Sequence, residues 1–236
     1  MKVTIHQPEH MPWLGFFHKI SQAETFIILD SVQYSKNYFQ NRNKIRTANG
    51  WCWLTVPVKN NFGTLIKDIQ IDNTDRRWQK KYWDSIYFSY KKAPFFADYA
   101  PSLESLCKKE RDCLSELNIC LILELLKSLR LAPKIIKASE LKARGKGGDL
   151  ILNICRELKA DVYISGISGK EYLDAKQFQT SNIELVFQEF HHPIYKQLYE
   201  SFIPCMSIID LLFNHGPNSL NIINGVGVPV MEEVFL

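Results

Sequence analysis

The sequence predicts an α/β fold built on a mostly parallel, doubly wound sheet, and two observations predict it. Short apolar runs recur at Val3-Thr4-Ile5, at Thr25-Phe26-Ile27-Ile28-Leu29-Asp30, from Lys134 to Ser139, from Asp161 to Gly166 and from Ile183 to Phe190. Such runs read as strands buried on both faces. Helical patterns stand between them, so that 3–30 and 134–166 each read as strand, loop, helix, strand. In such a sheet, ligands sit in the loops beyond the carboxyl ends of the strands.

The elements follow in order. The first strand stops at His6-Gln7-Pro8-Glu9-His10, and Pro12 suits the first turn of a helix running from Trp13 to Ile20. After the second strand comes a polar, aromatic-rich segment from Ser31 to Arg46, then a tight turn at Asn49-Gly50 and a strand reaching Val58. A shorter strand is expected at Lys67–Asp72. Trp78, Tyr82, Trp83 and Tyr87 recur at helical spacing, which reads as a helix face packed on a sheet rather than as a base-stacking platform. Ser102 to Leu131 is helical, broken near Arg111-Asp112. Beyond the strand at 134–139, Lys146-Gly147-Gly148-Asp149 reads as a loop with Asp149 as N-cap of a helix from Leu150 to Leu158. The strand at 161–166 is followed by a polar helix, and a last strand lies at 183–190. The whole reads as a single α/β domain over 1–236, with 76–131 a mainly helical subdomain or insertion.

The net charge of +4 is unevenly spread. Residues 1–100 carry 14 Lys and Arg against 8 Asp and Glu, and 101–236 carry 15 against 17, so +6 is followed by −2. That points to an anionic ligand held by the N-terminal part. No dense Lys/Arg run appears, which favours a phosphorylated small molecule over nucleic acid. The longest apolar stretch, Leu117 to Leu129, is broken by Asn118, Glu124, Lys127 and Ser128, and the start lacks the apolar core of a signal peptide. A cytoplasmic protein with no membrane span is expected. Six cysteines form no C-x-x-C pair and no zinc-ligand spacing, so they read as core thiols and no metal site is expected.

Three constellations carry candidate chemistry. His6 and His10 flank the first loop, where histidines beside a helix mouth can stabilise phosphate charge, as in HIGH-type nucleotidylyltransferases. Their spacing differs from that motif, and the alternative makes His6 a substrate-binding or structural histidine and leaves His10 merely exposed. Ser165-Gly166-Ile167-Ser168-Gly169-Lys170 offers two glycines, two hydroxyls and an ammonium, an anion cradle without P-loop spacing. Gln33, Lys36, Asn41, Arg42 and Asn43 supply amide and cationic donors among Tyr34, Tyr38 and Phe39. Late in the chain, Tyr195, Gln197 and Asp210 place polar groups among apolar ones, Asp210 being either a buried structural acid or a base near the ligand.

With these residues in view, the chain resembles the WbqC-like protein family of bacteria over nearly its whole length. The stretches that carry the resemblance are His6-Gln7-Pro8, Pro12-Trp13-Leu14-Gly15-Phe16-Phe17, Phe39-Gln40-Asn41-Arg42-Asn43, Trp53-Leu54-Thr55-Val56-Pro57-Val58, Tyr163-Ile164-Ser165-Gly166, Pro193-Ile194-Tyr195-Lys196-Gln197 and Ser207-Ile208-Ile209-Asp210-Leu211-Leu212-Phe213-Asn214. Where many relatives have an aromatic residue in the first loop, this chain has His10, which shifts the weight to His6. The resemblance implies a role in O-antigen and lipopolysaccharide synthesis: transfer of an acyl or amino-acid group to the amine of a nucleotide-linked deoxyamino sugar. On that reading His6 is the base or charge stabiliser and Asp210 orients the donor. Gln7, His10, Gln33, Lys36, Asn41, Arg42, Asn43, Tyr195 and Gln197 bind substrate, and Ser165, Gly166, Ser168, Gly169 and Lys170 hold phosphate. A free amino acid as donor would need ATP with magnesium. A nucleotidylyltransferase and a non-catalytic scaffold of the polysaccharide machinery are the alternatives.

Overall fold

The computed structural model describes residues 1–59 and 63–231. In chain order these form β1 (Lys2–His6), α1 (Leu14–Ser21), β2 (Thr25–Ile28), β3 (Arg42–Thr47), β4 (Gly50–Thr55), β5 (Val58–Lys59), β6 (Gln70–Ile71), α2 (Trp78–Tyr90), α3 (Phe96–Lys108), α4 (Leu114–Ser128), β7 (Lys134–Lys137), α5 (Gly147–Glu157), β8 (Val162–Ser165), α6 (Ala175–Thr180), β9 (Glu184–Phe187), α7 (Ile208–His215) and α8 (Ser219–Ile223). The residues cluster into two compact units. Among them no helix is long and apolar enough to cross a membrane.

The first unit comprises Met1–Gln7, His18–Ser31 and Ala132–Phe190. Its five strands form one all-parallel sheet in the order β7-β2-β1-β8-β9. The α/β class, a parallel sheet flanked by helices, is therefore as the sequence predicts. Numbered along the chain the order is 3-2-1-4-5, which steps outward from the centre through β2 and β7 and then crosses back to β8 and β9. Such an order has a switch point, here between β1 and β8, and it is beyond the carboxyl ends at a switch point that open α/β sheets take ligands. Continuous apolar runs build it: Val3, Phe26, Ile27 and Ile28 are fully buried, each contributing roughly 1.5–3 kcal/mol of apolar transfer. At the carboxyl end of β2 the buried Asp30 accepts hydrogen bonds from the Ser139 amide (2.9 Å) and hydroxyl (2.6 Å), tying β2 to the exit of β7.

The second unit comprises Pro8–Phe17, Val32–Leu131 and His191–Leu236. The β3–β4 hairpin runs in register from Arg42↔Thr55 to Thr47↔Gly50. β3 lies in the segment that reads as a polar loop. The strand is hidden because one of its inward positions is the amide Asn43, fully buried beside Ile45, so no apolar alternation shows. Helix α2 packs on this hairpin and buries Trp78, Tyr82, Trp83, Ile86 and Tyr90, the Tyr90 hydroxyl accepting the Arg46 amide of β3 at 2.8 Å, while Tyr87 faces out. The stretch 76–131 holds α2, α3 and α4, with the expected interruption between Lys108 and Leu114.

Two local expectations are corrected. Helix α5 begins at Gly147 behind Lys146, which puts Asp149 in its first turn rather than at the N-cap. After Ser165 the chain makes a short 3-10 turn, Ile167–Glu171, and only then the six-residue α6, so a long helix dipole does not stand behind that loop.

Candidate functional site: the switch-point edge of the sheet

His6 is the last residue of β1. The register Val3↔Tyr163 and Thr4↔Ile164, continued two positions, sets His6 level with Gly166. Two of the sequence-predicted groups, His6-Gln7 and Ser165–Lys170, thus meet at the switch point within the first unit. The His6 carbonyl accepts the Leu29 amide (2.8 Å), which fixes the backbone, and its ring Nδ1 lies 3.2 Å from the Gln7 carbonyl oxygen. Burial, reinforced by the Lys19 ammonium, lowers the imidazole from its ordinary value to about 3. His6 is therefore neutral at physiological pH.

Lys19 is buried, and its Nζ donates to the Ile5 carbonyl at 3.1 Å. Its signal was present in the sequence: a lysine between Phe16, Phe17 and Ile20, all buried, inside the apolar stripe of α1. Across the switch point Ser165 is buried while Ser168 and Lys170 are exposed, with the Lys170 Nζ 5.5 Å from the Phe187 ring centre. The Gly169 amide closes the turn on the Gly166 carbonyl (3.0 Å), and the Ser165 hydroxyl donates to the same carbonyl (3.1 Å), which leaves the exposed Ser168 and Lys170 as the polar side chains that face outward. A Cβ at Gly169 would stand 2.1 Å from the Ser165 hydroxyl; the second glycine exists to admit that side chain. Next along the edge, the Gln188 carboxamide nitrogen lies 2.8 Å from His18 Nδ1, and the Gln188 amide bonds the Ser165 carbonyl. His18 and Gln188 carry no motif of their own and only the sheet order brings them into view.

The remaining predicted residues lie in the second unit, most of them engaged by its own polar core. His10 is fully buried rather than exposed. Asn118 donates to the Pro8 (2.8 Å) and Gln40 (2.7 Å) carbonyls, which leaves its oxygen to accept from His10 Nδ1–H at 2.8 Å. His10 Nε2 then accepts the Tyr82 hydroxyl proton at 2.6 Å. Burial lowers this imidazole to about 4, so it stays neutral, and its ring packs edge-on against Tyr82. Asn43 donates to the Met11 carbonyl (2.8 Å), and Asn41 donates to the Val56 carbonyl (2.9 Å) while accepting from Tyr34 (2.9 Å). Gln33 and Lys36 are exposed, and Arg42 lies over the Trp53 ring at 4.1 Å.

Asp210, Tyr195 and Gln197 do come together. The Tyr195 hydroxyl and the Gln197 amide both donate to Asp210 Oδ2 at 2.8 Å, in a fully buried setting that also holds Tyr90 and Arg46. Burial pushes the Asp210 carboxyl up to about 6, against the lowering effect of those hydrogen bonds. A carboxyl raised in the fold contributes stability that is complete below the ordinary value of 3.8 and lost as pH rises to 6 and beyond. Asp210→Asn should therefore gain about 3 kcal/mol relative to wild type between pH 4 and pH 7, read by urea unfolding at each pH. A constant difference would contradict the assignment.

Among the described residues no group of three or more His, Cys, Asp or Glu is placed to hold a metal ion. Comparison with known proteins adds the family. The family model described as "WbqC-like protein family" matches residues 7–222. The chain is 35% identical over 219 residues to "Uncharacterized protein Rv1507c" of Mycobacterium tuberculosis, covering 91% of this chain and 94% of that one. No solved structure matches. With the match spanning both units, the chain belongs to the WbqC-like protein family.

Proposed function

We propose that the carboxyl edge of the parallel sheet binds a phosphate-bearing, nucleotide-linked amino sugar, and that the protein is an N-acyl or aminoacyl transferase to that sugar's amine in surface-polysaccharide synthesis. The observation that carries this reading is the switch point itself, which gathers His6, the buried Lys19 and the Ser165–Lys170 turn. The exposed Lys170 ammonium and Ser168 hydroxyl suit a phosphate, with the buried Lys19 charge behind them. Gly166, where an added Cβ would meet nothing within 4 Å, lets the chain approach the phosphate closely.

His6 acts as a neutral imidazole. When the amine attacks the acyl carbon, the new C–N bond forms as the bond to the leaving group breaks, and the nitrogen sheds a proton that has become strongly acidic. With its imidazole lowered to about 3, His6 does not deprotonate the sugar ammonium; the amine binds as its free base, and His6 takes only the proton shed once the C–N bond has formed. Where the donor is a free amino acid, ATP with magnesium supplies the activated carboxylate; Ser165, Ser168, Lys170 and Lys19 would hold its phosphates. Asp210 enters this reading as an anchor of the second unit's core, given its buried partners.

The test is mass spectrometry of nucleotide-linked amino sugars after incubation with acyl and aminoacyl donors, with and without ATP. Acylated sugar is the expected product. Pyrophosphate release without an amine acceptor would replace the reading with a nucleotidylyltransferase, and binding without turnover would replace it with a scaffold.

A further inference from the structure

Residues 31–67 contain six Lys or Arg and no Asp or Glu. The sequence shows no dense basic run, yet the β3–β4 register gathers part of this charge on one face. Lys44 stands opposite Trp53, and Arg42 lies two positions along β3 on the same side. The other side, with Asn43, Ile45 and Leu54, is buried. Trp51 and Trp53 are 44% and 37% exposed, large for indoles. The rings continue in a row: Trp51 to Trp53 at 5.5 Å, Trp53 to Phe39 at 6.3 Å, Phe39 to Tyr38 at 5.3 Å, with Tyr38 half exposed. Cations lie along it, the Arg42 guanidinium 4.1 Å from the Trp53 centre and the Lys44 Nζ 5.2 Å from Trp51. One Arg42 Nη donates to the Asn37 carbonyl, and its buried Nε has no acceptor among the described residues. Arg46 spends both terminal nitrogens on the carbonyls of Thr47, Gly50, Glu200 and Ser201.

We propose that this hairpin face binds single-stranded nucleic acid, its bases stacking on the aromatic row and its phosphates meeting Arg42, Lys44 and the exposed Lys36. Bases and phosphates together account for both halves of the observation. A single nucleotide would cover one ring and leave the rest of the row in water, and an uncharged chain would leave the cations unused. The inference is independent of the acyl-transfer reading, which concerns the first unit.

Fluorescence anisotropy with a labelled oligouridine of about ten nucleotides, a length within the usual site size, tests it. Saturable binding is expected, weakened about tenfold by Trp51→Ala and by Trp53→Ala. Lys44→Ala should lower the slope of log affinity against log salt by about 1. Thermal unfolding of each variant shows whether the fold persists; if Trp53→Ala lowers the midpoint, Lys44→Glu carries the test. No saturable binding, binding unchanged in the doubly substituted Trp51→Ala, Trp53→Ala protein, or displacement of the oligouridine by a polyuronate oligomer at equal charge would overturn the proposal.

Discussion

Replacement of His6 by alanine is expected to lower kcat/KM for amine acylation by about 100-fold or more, the scale of a lost general base. The fold should survive, because His6 closes a strand whose neighbours Val3 and Ile5 carry the packing. The pH profile separates this role from that of an ordinary histidine. With the imidazole held near 3 by burial and the Lys19 charge, His6 adds no ionisation of its own between pH 8 and about pH 5, so wild-type kcat/KM there should follow the protonation of the substrate amine alone, without the second fall that an unperturbed histidine would add. Stability follows the same linkage. A depressed histidine contributes stability above 6.5 that is lost as pH falls towards 3, so His6→Ala should gain on wild type in acid. Turnover within a factor of about three of wild type would remove His6 from the chemistry.

Asn118→Leu should be the most damaging single change to stability in the second unit. Leucine keeps the volume and loses three buried hydrogen bonds, orphaning the Pro8 and Gln40 carbonyls and the His10 Nδ1–H. At about 1–3 kcal/mol for each of the three orphaned groups the loss is about 3–9 kcal/mol, a large share of the roughly 5–15 kcal/mol that holds a domain folded. Urea unfolding followed by tryptophan fluorescence reads it directly. The His10→Phe, Asn118→Leu double variant should cost less than the sum of the single changes, since it removes both partners of one bond. A loss below about 1 kcal/mol for Asn118→Leu would show that the network is not what closes this core.

The parallel sheet was legible because strands buried on both faces write themselves as continuous apolar runs: Thr25–Ile28 is buried at every position, as are residues 3–5 of the adjacent β1. β3 was not, because its inward Asn43 is held by backbone carbonyls thirty-two and thirty-three residues away, a pairing that no local pattern announces. Asn118 read as a mere interruption of an apolar helix. In the fold it is the hub of three segments, with partners 110 and 78 residues distant. The site divides the same way. His6 and the Ser165–Lys170 turn were visible as polar residues after strands, whereas Lys19, His18 and Gln188 join them only through the strand order. The two histidines of the first loop looked like a pair; the chain gives one to the sheet edge and seals the other in the core of the second unit.

The central claim is that the switch-point edge of the sheet holds a phosphate-bearing ligand, and titration calorimetry tests it most directly. Magnesium–ATP and a nucleotide-linked amino sugar would be titrated into the wild-type protein and into His6→Ala, Lys170→Ala and Asp210→Asn. Saturable binding of the nucleotide sugar is expected, weakened about tenfold by His6→Ala or Lys170→Ala, the worth of one charge-assisted contact, and unchanged by Asp210→Asn. Absence of saturable binding, or equal affinity in all four proteins, would contradict it.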